Sequence, residues 1–225
     1  PSDSLEDSIR EATRRILTSA RGDERYQGMG TTVVAMRFGG TGEEPIAQIS
    51  HVGDSRAYLL RGEELKPVTE DHSLVAELVR SGDLTRDQAS EHPQKNLITR
   101  ALGAEEEVDV DTVVLPVEPG DRLLLCSDGL SDMFPEPMML MILTSNPENP
   151  EGAARALVRA ALVAFGERGV FITKRCSVAD GLAVFIPLIN VACVLIRNGH
   201  SVGITIEHCV RDLFIDVSLR RIRIQ

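Results

Sequence analysis

The spacing of apolar residues along the chain predicts an amphipathic helix followed by strands. From residue 4 to residue 20, apolar side chains recur every three or four positions with charged residues opposite them, which is typical of a helix. Residues 31–37 and 46–52 are apolar stretches joined by a glycine-rich turn, as expected for paired strands. Residues 57–68 add a third strand and a hairpin. This part of the chain therefore predicts a β-meander with local antiparallel pairing.

Two later strands should differ in how deeply they are buried. Residues 108–116 alternate valine with polar residues, and this period of two predicts a half-buried strand. Asp109 and Asp111 lie on its polar face, which is most simply in contact with solvent. Residues 122–126 read RLLLC, an almost uninterrupted apolar run that predicts a buried strand.

Helical patterns occupy the segments between and after these strands. Residues 73–80 and 85–91 predict two short helices, and residues 138–143 and 152–165 predict two more. The helices come in blocks and do not alternate with strands, so mostly antiparallel sheets and an α+β fold are expected. Met138, Met139 and Met141 of the helix predicted at 138–143 fit core filling better than a partner surface.

Composition allows a substantial core and limits its chemistry. The 225 residues are 43% hydrophobic but only 4% aromatic and contain no tryptophan, so an aliphatic core of one domain, or one domain plus an appendage, is expected. The net charge of −10 argues against non-specific nucleic-acid binding, which requires a basic surface. The charge changes sign along the chain: residues 1–150 hold 14 basic and 28 acidic side chains, and residues 151–225 hold 10 and 6.

The cysteines and apolar segments argue against several kinds of protein. Cys126 stands alone in the first part of the chain, and Cys176, Cys193 and Cys209 form no C-x-x-C pair, so free thiols are expected and a zinc site is not. The chain opens on no signal peptide and nothing suggests an oxidising compartment, so a cytoplasmic location is predicted. The apolar run at 178–196 is interrupted by polar residues and proline, which argues against a membrane span.

Two short acidic turns carry the clearest candidate chemistry. Residues 51–56 read HVGDSR and residues 125–130 read LCSDGL, so Asp54 and Asp128 each follow a predicted strand. A neighbouring glycine lets each backbone turn sharply. Either turn alone is most simply an ordinary turn. Together, two carboxylates at the ends of strands in one β-sheet core predict a site for Mg²⁺ or Mn²⁺. Such a site is typical of metal-assisted phosphate hydrolysis.

Five segments, in order and at matching spacing, resemble the metal-dependent type 2C (PPM-type) protein phosphatases in their short bacterial form. They are residues 28–34 (GMGTTVV), 51–59 (HVGDSRAYL), 68–73 (VTEDHS), 96–103 (NLITRALG) and 120–130 (GDRLLLCSDGL).

The resemblance implies a fold and a reaction. The fold would be a four-layer αββα sandwich of two antiparallel sheets flanked by helices, incomplete in this chain. A metal-bridging water, activated by Mn²⁺ or Mg²⁺ at one edge between the sheets, would attack the phosphorus of phosphoserine or phosphothreonine. By resemblance, Asp128 matches a ligand of the binuclear centre, and Asp54 matches a residue that shares a third, weaker metal with it. His72 and Ser73, with residues 75–96, match the mobile flap beside the site.

The sequence also departs from the family pattern at both ends. The family's acidic first segment and its Asp-Gly-x-Gly-Gly-His-type turn do not appear. Near the end, Val170 and Phe171 stand where the family carries Asp-Asn. The resemblance therefore implies a phosphatase domain at 1–165 that lacks its N-terminal metal-binding segment, and a divergent or frame-shifted tail at 166–225. Of the main ligand set only Asp128 remains, so we expect little activity and assign no catalytic side chain.

Two functions from different classes follow. The first is a protein serine/threonine phosphatase of impaired activity, acting as a monomer on phosphoproteins, opposite a bacterial serine/threonine kinase. The alternative is a catalytically inactive phosphatase-like module that binds a phosphoprotein or kinase partner. A third possibility is a damaged product whose exposed sheet edges favour aggregation.

Several side chains near the acidic turns have a structural and a chemical interpretation. His51 and His72 are acid/base candidates, but hydrogen-bonding roles are predicted. For Arg56 we predict an ion pair with an acidic neighbour in preference to a phosphate contact. Ser127 lacks a His-Asp pattern and is rejected as a nucleophile, and Cys126 is predicted to be an inert core thiol.

Overall fold

The structure is a computed structural model that describes residues 4–41, 44–147 and 149–165, together with the backbone of four short strands between residues 178 and 203. The helices are α1 Leu5–Gly22, α2 Leu74–Ser81, α3 Arg86–Glu91, α4 Asp128–Ser131, α5 Glu136–Thr144 and α6 Pro150–Phe165. The strands are β1 Val33–Gly40, β2 Pro45–Val52, β3 Arg56–Arg61, β4 Glu64–Pro67, β5 Asp111–Pro116, β6 Arg122–Cys126, β7 Val178–Ala179, β8 Leu182–Phe185, β9 Cys193–Arg197 and β10 His200–Gly203.

The strands form two antiparallel sheets of five strands each. The first has the order β5-β2-β1-β8-β7, and the second has the order β10-β9-β6-β3-β4. Every neighbouring pair is antiparallel. The predicted α+β class with two antiparallel sheets is therefore confirmed.

Three apolar clusters hold four layers together. One cluster lies between the two sheets and joins β1 and β2 to β3 and β6; it consists of Val34, Met36, Ala47, Ile49, Ala57, Leu123 and Leu125. A second cluster packs α1 on the outer face of the first sheet. A third packs α4, α5 and α6 on the outer face of the second sheet. The sandwich is thus αββα, and its described core is aliphatic apart from Tyr58 and Phe134.

Helix α1 is fixed at its start by its own sequence. The Ser4 side chain accepts a hydrogen bond from the Asp7 N–H at 3.1 Å, which satisfies one of the donors left free at a helix N-terminus. Leu5 and Ile9 on the buried face pack against the first sheet. The stripe seen in the sequence is therefore the face that closes this side of the sandwich.

Helix α5 differs from its predicted packing. Met139 is fully buried, whereas Met138 and Met141 are 42% and 58% exposed. The prediction of core filling is therefore wrong for two of the three methionines, because only one face of α5 contacts α6 and the sheet below it.

The last part of the chain contributes strands to both sheets. Strand β8 pairs with β1 in the first sheet, and β9 pairs with β6 in the second. The predicted boundary between a domain at 1–165 and a tail at 166–225 stays a prediction. Val170, Phe171 and the predicted free thiols Cys176 and Cys209 lie outside the described residues. Among the described residues, no helix combines the length and apolar character that crossing a membrane requires.

Candidate metal centre

Strand register brings the two acidic turns to the same end of the second sheet. Strands β3 and β6 are antiparallel neighbours, with Arg56 opposite Cys126. Asp54 lies two residues before Arg56, and Asp128 lies two residues after Cys126. Both residues therefore lie beyond the same end of the paired strands β3 and β6. The register thus places both acidic turns at one end of this sheet, and the sharing of an ion by Asp54 and Asp128 stays a prediction.

Each turn is held by local hydrogen bonds. Gly53 follows β2 in a left-handed backbone conformation with φ of 104°, which allows the chain to reverse before Asp54. At the other turn, Asp128 is the first residue of α4, and its Oδ1 accepts a hydrogen bond from the Gly129 N–H at 2.7 Å. One oxygen of Asp128 is thereby oriented by its own turn.

Three carboxyl groups at this edge have raised pKa values. Burial, followed by the negative charges of Asp128, Asp71 and Asp132, raises the pKa of Asp54 from 3.8 to about 6. Burial also raises the pKa of Asp128, although the Gly129 hydrogen bond acts in the opposite direction. Burial and the charges of Asp128 and Asp71 raise the pKa of Asp132, against the attraction of Arg56. Burial is the common cause, and repulsion between the carboxylates adds to it.

Arg56 lies inside this acidic cluster and is bound by Asp71. Its Nε and one terminal nitrogen donate to the two oxygens of Asp71 at 2.8 and 2.6 Å, and the guanidinium is 3.7 Å from Asp132. Burial alone would lower the pKa of Arg56, but the hydrogen bonds and charge of Asp71 raise it well above its usual value. The predicted ion pair is confirmed, with Asp71 as the partner.

The charge balance and the donor atoms fit a divalent cation. Four carboxylates, Asp54, Asp71, Asp128 and Asp132, act on one another around one guanidinium, with a weaker attraction from Lys95. Carboxylate oxygens are the ligands that Mg²⁺ and Mn²⁺ prefer. A bound cation would offset both the burial and the repulsion that raise the three pKa values. Asp54, Asp128 and Asp132 are the candidates to supply its oxygens, because Asp71 is engaged with Arg56.

Asp132 and Asp71 were not among the site residues predicted from the sequence. Asp132 follows Asp128 by four residues and caps the same short helix, where its N–H donates to the Asp128 carbonyl at 2.8 Å. Residues four apart lie on the same face of a helix, so the spacing of Asp132 from Asp128 could have identified Asp132 as a site residue. Nothing in the spacing of Asp71 indicates its pairing with Arg56, which depends on how the residue 68–73 segment returns beside β3.

A second polar cluster lies beside the first. His51, His72 and Asp111 have possible ligand atoms within 4.8 Å of one another. However, His72 Nδ1 already accepts the Gly53 N–H at 3.1 Å, and His72 Nε2 lies 3.1 Å from an Asp111 oxygen. Arg100 donates to the other Asp111 oxygen at 3.0 Å. Arg100 thus occupies a position beside Asp111, and hydrogen bonds link His72, Asp111 and Arg100, whereas His51 Nδ1 is buried without a partner among the described residues.

The histidines have the hydrogen-bonding roles predicted for them. The two rings stack with centroids 4.7 Å apart, and His51 Nε2 pairs with the Glu70 carbonyl at 2.8 Å. The expectation that the acidic face of residues 108–116 is merely solvated is wrong for Asp111, which joins His72 and Arg100 in the folded chain. Sequence periodicity gives the face of a strand but not the partners that reach it.

Ser127 and Cys126 take no part in this chemistry. Cys126 is fully buried, and burial raises its pKa to about 12, so the thiol stays protonated as predicted. The Ser127 hydroxyl is buried and has no hydrogen-bond partner within the described residues, so no base is in place to activate it.

Removing the Arg56 side chain should destabilise the fold. In an Arg56→Met variant, Asp71 would stay half-buried with its charge uncompensated, and we expect a loss of about 2–3 kcal/mol in the free energy of unfolding. Urea denaturation measures this. Arg155→Met, which breaks the exposed pair with Glu151, is the control and should cost less than about 0.5 kcal/mol. Equal losses in the two variants would contradict the buried ion pair.

Comparison with known sequences places these features in a family. Residues 1–165 match the family described as protein phosphatase 2C. The chain is 44% identical over 156 residues to the serine/threonine phosphatase stp of Listeria monocytogenes, a match that covers 69% of this chain and 60% of that protein. The chain therefore spans less than two thirds of the length of this curated relative.

Comparison with solved structures indicates the same family. A crystal structure of the Mycobacterium tuberculosis serine/threonine phosphatase PstP/Ppp aligns with a TM-score of 0.65 and 34% identity, covering 81% of this chain and 69% of that one. The catalytic domain of PstP in complex with two manganese ions aligns with a TM-score of 0.63 and 31% identity, covering 83% and 72%. With a family match over residues 1–165, two antiparallel sheets in an αββα sandwich and an acidic centre at their edge, the chain belongs to the protein phosphatase 2C family of bacterial PPM-type phosphatases.

Proposed function

We propose that the chain hydrolyses phosphoserine and phosphothreonine in proteins with the help of Mn²⁺ or Mg²⁺. The observation that carries this proposal is a group of three carboxyl groups with raised pKa values at one end of the second sheet, the half-buried Asp54 and Asp128 and the more exposed Asp132. Membership in a phosphatase family and the two manganese ions in one of the similar structures support it.

The protein side chains have distinct parts in this proposal. Asp54, from the turn before β3, and Asp128, from the start of α4, would hold the cation, and Asp132 would add a third oxygen donor. The Gly129 N–H fixes one oxygen of Asp128 and leaves the other to face the ion. Asp71 holds Arg56, which keeps the guanidinium charge close to Asp132. When bound, the cation supplies a water of lowered pKa and neutralises phosphate charge.

Catalysis by the chain should be slow. The carboxylates that the described residues bring to this edge suffice for one divalent ion, whereas the resemblance implies a binuclear centre with further ligands. We therefore propose impaired phosphatase activity and assign no catalytic side chain.

Hydrolysis of a phosphothreonine peptide by the purified chain tests the proposal. We expect slow turnover that requires Mn²⁺, stops on addition of a chelator and is lost in Asp128→Ala, because that carboxylate is central to the site. Asp109→Ala, which removes an exposed carboxylate, is the control and should turn over like the wild type. Turnover that is unchanged by the chelator or by Asp128→Ala would contradict the proposal.

Absence of turnover would favour the alternative of a catalytically inactive binding module. That module would retain a phosphopeptide or a kinase domain even in chelator. Phosphoproteins as substrates, a serine/threonine kinase as the opposing enzyme, a monomeric state and a cytoplasmic location all stay predictions. Light scattering after gel filtration measures the monomeric state directly.

A further inference from the structure

Gly53, the residue before Asp54, is held on both sides by His72. The Gly53 N–H donates to His72 Nδ1 at 3.1 Å, and the His72 backbone N–H donates to the Gly53 carbonyl at 3.0 Å. Both polar groups of Gly53 are therefore fixed by one residue from a distant part of the chain. Since Gly53 has a left-handed φ of 104°, its conformation is otherwise weakly determined.

His72 is itself held by an outer layer of contacts. Its ring is buried, stacks on His51 and lies with Nε2 3.1 Å from Asp111 Oδ2, while Arg100 holds the other oxygen of Asp111. The Thr99 N–H donates to the His72 carbonyl at 2.8 Å. Contacts to both its ring and its backbone carbonyl therefore hold His72 in position.

These contacts select one form of the histidine. Because Nδ1 accepts the Gly53 N–H, it carries no proton, and a neutral ring then has its proton on Nε2. That proton is donated to Asp111 at 3.1 Å, the nearer of the two partners of Nε2; Arg100 Nη1, which can only donate, lies at 3.4 Å. Burial, opposed by the Asp111 hydrogen bond, lowers the pKa of His72, which agrees with a neutral ring. Two hydrogen bonds thus connect the Asp111 carboxylate, the His72 ring and the Gly53 backbone amide.

We propose that His72, oriented by Asp111, is a positioning residue that fixes the Gly53 turn and so aims the Asp54 carboxylate at the divalent ion. The proposal rests on the proposed function, since it requires Asp54 to be a ligand. His72 does not touch the ion. Outer partners of metal ligands act in this way, and their loss typically weakens metal binding by about 10- to 100-fold.

Mn²⁺ affinity, measured by titration calorimetry on the full chain, tests the proposal. His72→Leu removes the acceptor for the Gly53 N–H, and we expect Mn²⁺ binding about 10- to 100-fold weaker than in the wild type. His72→Asn restores an acceptor, because its Oδ1 is separated from the backbone by the same number of bonds as Nδ1. We expect this variant to recover most of the lost affinity.

Asp111→Ala provides a second variant, because the Asp111 side chain at the start of β5 is half-exposed and its removal leaves no cavity in the core. We expect weaker Mn²⁺ binding with little change in the melting temperature of the metal-free protein. Asp109→Ala is the matched control: it removes an exposed carboxylate two residues away and should leave the affinity unchanged. Nitrogen NMR of ¹⁵N-histidine-labelled wild type should show a bare Nδ1 and a protonated Nε2 for His72.

The outcomes separate this proposal from the proposed function. Mn²⁺ binding that is lost in Asp54→Asn but unchanged in folded His72→Leu and in Asp111→Ala would overturn the positioning role alone. Binding that survives Asp54→Asn but is lost in His72→Leu would put the ion on His72 and overturn the positioning role. Wild-type protein that binds no Mn²⁺ would overturn both proposals. A protonated Nδ1 on His72 would overturn the hydrogen bond on which the positioning depends.

Discussion

Asp54→Asn should stabilise the metal-free protein and abolish most of the stabilisation that Mn²⁺ gives. Burial and the neighbouring charges raise the pKa of Asp54 to about 6, so its ionised form is unfavourable in the folded state at neutral pH. Replacing it with a neutral amide removes this cost, which we estimate at about 2 kcal/mol after allowing for partial screening by solvent. With Mn²⁺ present the same change removes a ligand, so the sign of the effect should reverse.

The pH dependence of the metal-free protein follows from the same carboxyl group. A carboxyl group whose pKa is higher in the folded state than in the unfolded chain stabilises the fold at low pH and loses that contribution as the pH rises through its folded value. The free energy of unfolding of Asp54→Asn should therefore exceed that of the wild type most above pH 6, and the difference should shrink as the pH falls towards 3.8. Urea denaturation in chelator at a series of pH values measures this difference.

A matched substitution separates the site from general charge effects. Asp109→Asn removes the same formal charge from an exposed position and should change the stability by less than about 0.5 kcal/mol with or without Mn²⁺. If Asp54→Asn destabilised the metal-free protein, or left its response to Mn²⁺ intact, Asp54 would not belong to a crowded metal-binding cluster.

Gly53→Ala should be among the most destabilising single substitutions in the chain. Its φ of 104° is unfavourable for any residue with a side chain, and an added Cβ would lie 2.2 Å from Thr32 Cγ2 and 2.5 Å from Thr32 Cβ. Backbone strain and overpacking each cost roughly 1–3 kcal/mol, so we expect a loss of about 4 kcal/mol in the free energy of unfolding. Mn²⁺ affinity should fall as well, because the turn carries Asp54.

Gly120→Ala is the control that isolates the steric part of this effect. Gly120 has a similar positive φ of 95°, but an added Cβ there would meet no atom within 4 Å. We expect Gly120→Ala to lose only the free energy of backbone strain, about 1–2 kcal/mol, and to leave Mn²⁺ binding unchanged. Similar losses of stability in the two variants would show that the contact with Thr32 does not constrain the Gly53 turn.

The sequence predicted well the parts of the fold that short-range patterns determine. Residues 122–126 form β6 over those same bounds, because an uninterrupted apolar run between a glycine turn and an acidic turn has few other ways to be buried. The approach of Asp54 and Asp128 was also predictable, since each ends a strand of one antiparallel core. Their register, with Arg56 opposite Cys126, then places them at one edge.

What the sequence did not predict depends on contacts between distant segments. The residue 68–73 segment carries both Asp71, which binds Arg56, and His72, which holds Gly53, yet neither pairing has a periodic signal. Asp111 was assigned to solvent for the same reason, because the pattern of a strand does not reveal that Arg100 and His72 lie beside it. These side chains orient the site, and they are set by tertiary packing.

The central claim is that Asp54 and Asp128 bind the same divalent ion, and a double-mutant cycle on Mn²⁺ affinity tests it most directly. Titration calorimetry would compare the wild type, Asp54→Asn, Asp128→Asn and the double variant. If both carboxylates hold one ion, each single change should weaken binding by about 100-fold, or about 2.7 kcal/mol, and the double variant should lose far less than the sum. Losses that add fully, or single variants that bind like the wild type, would contradict the shared site.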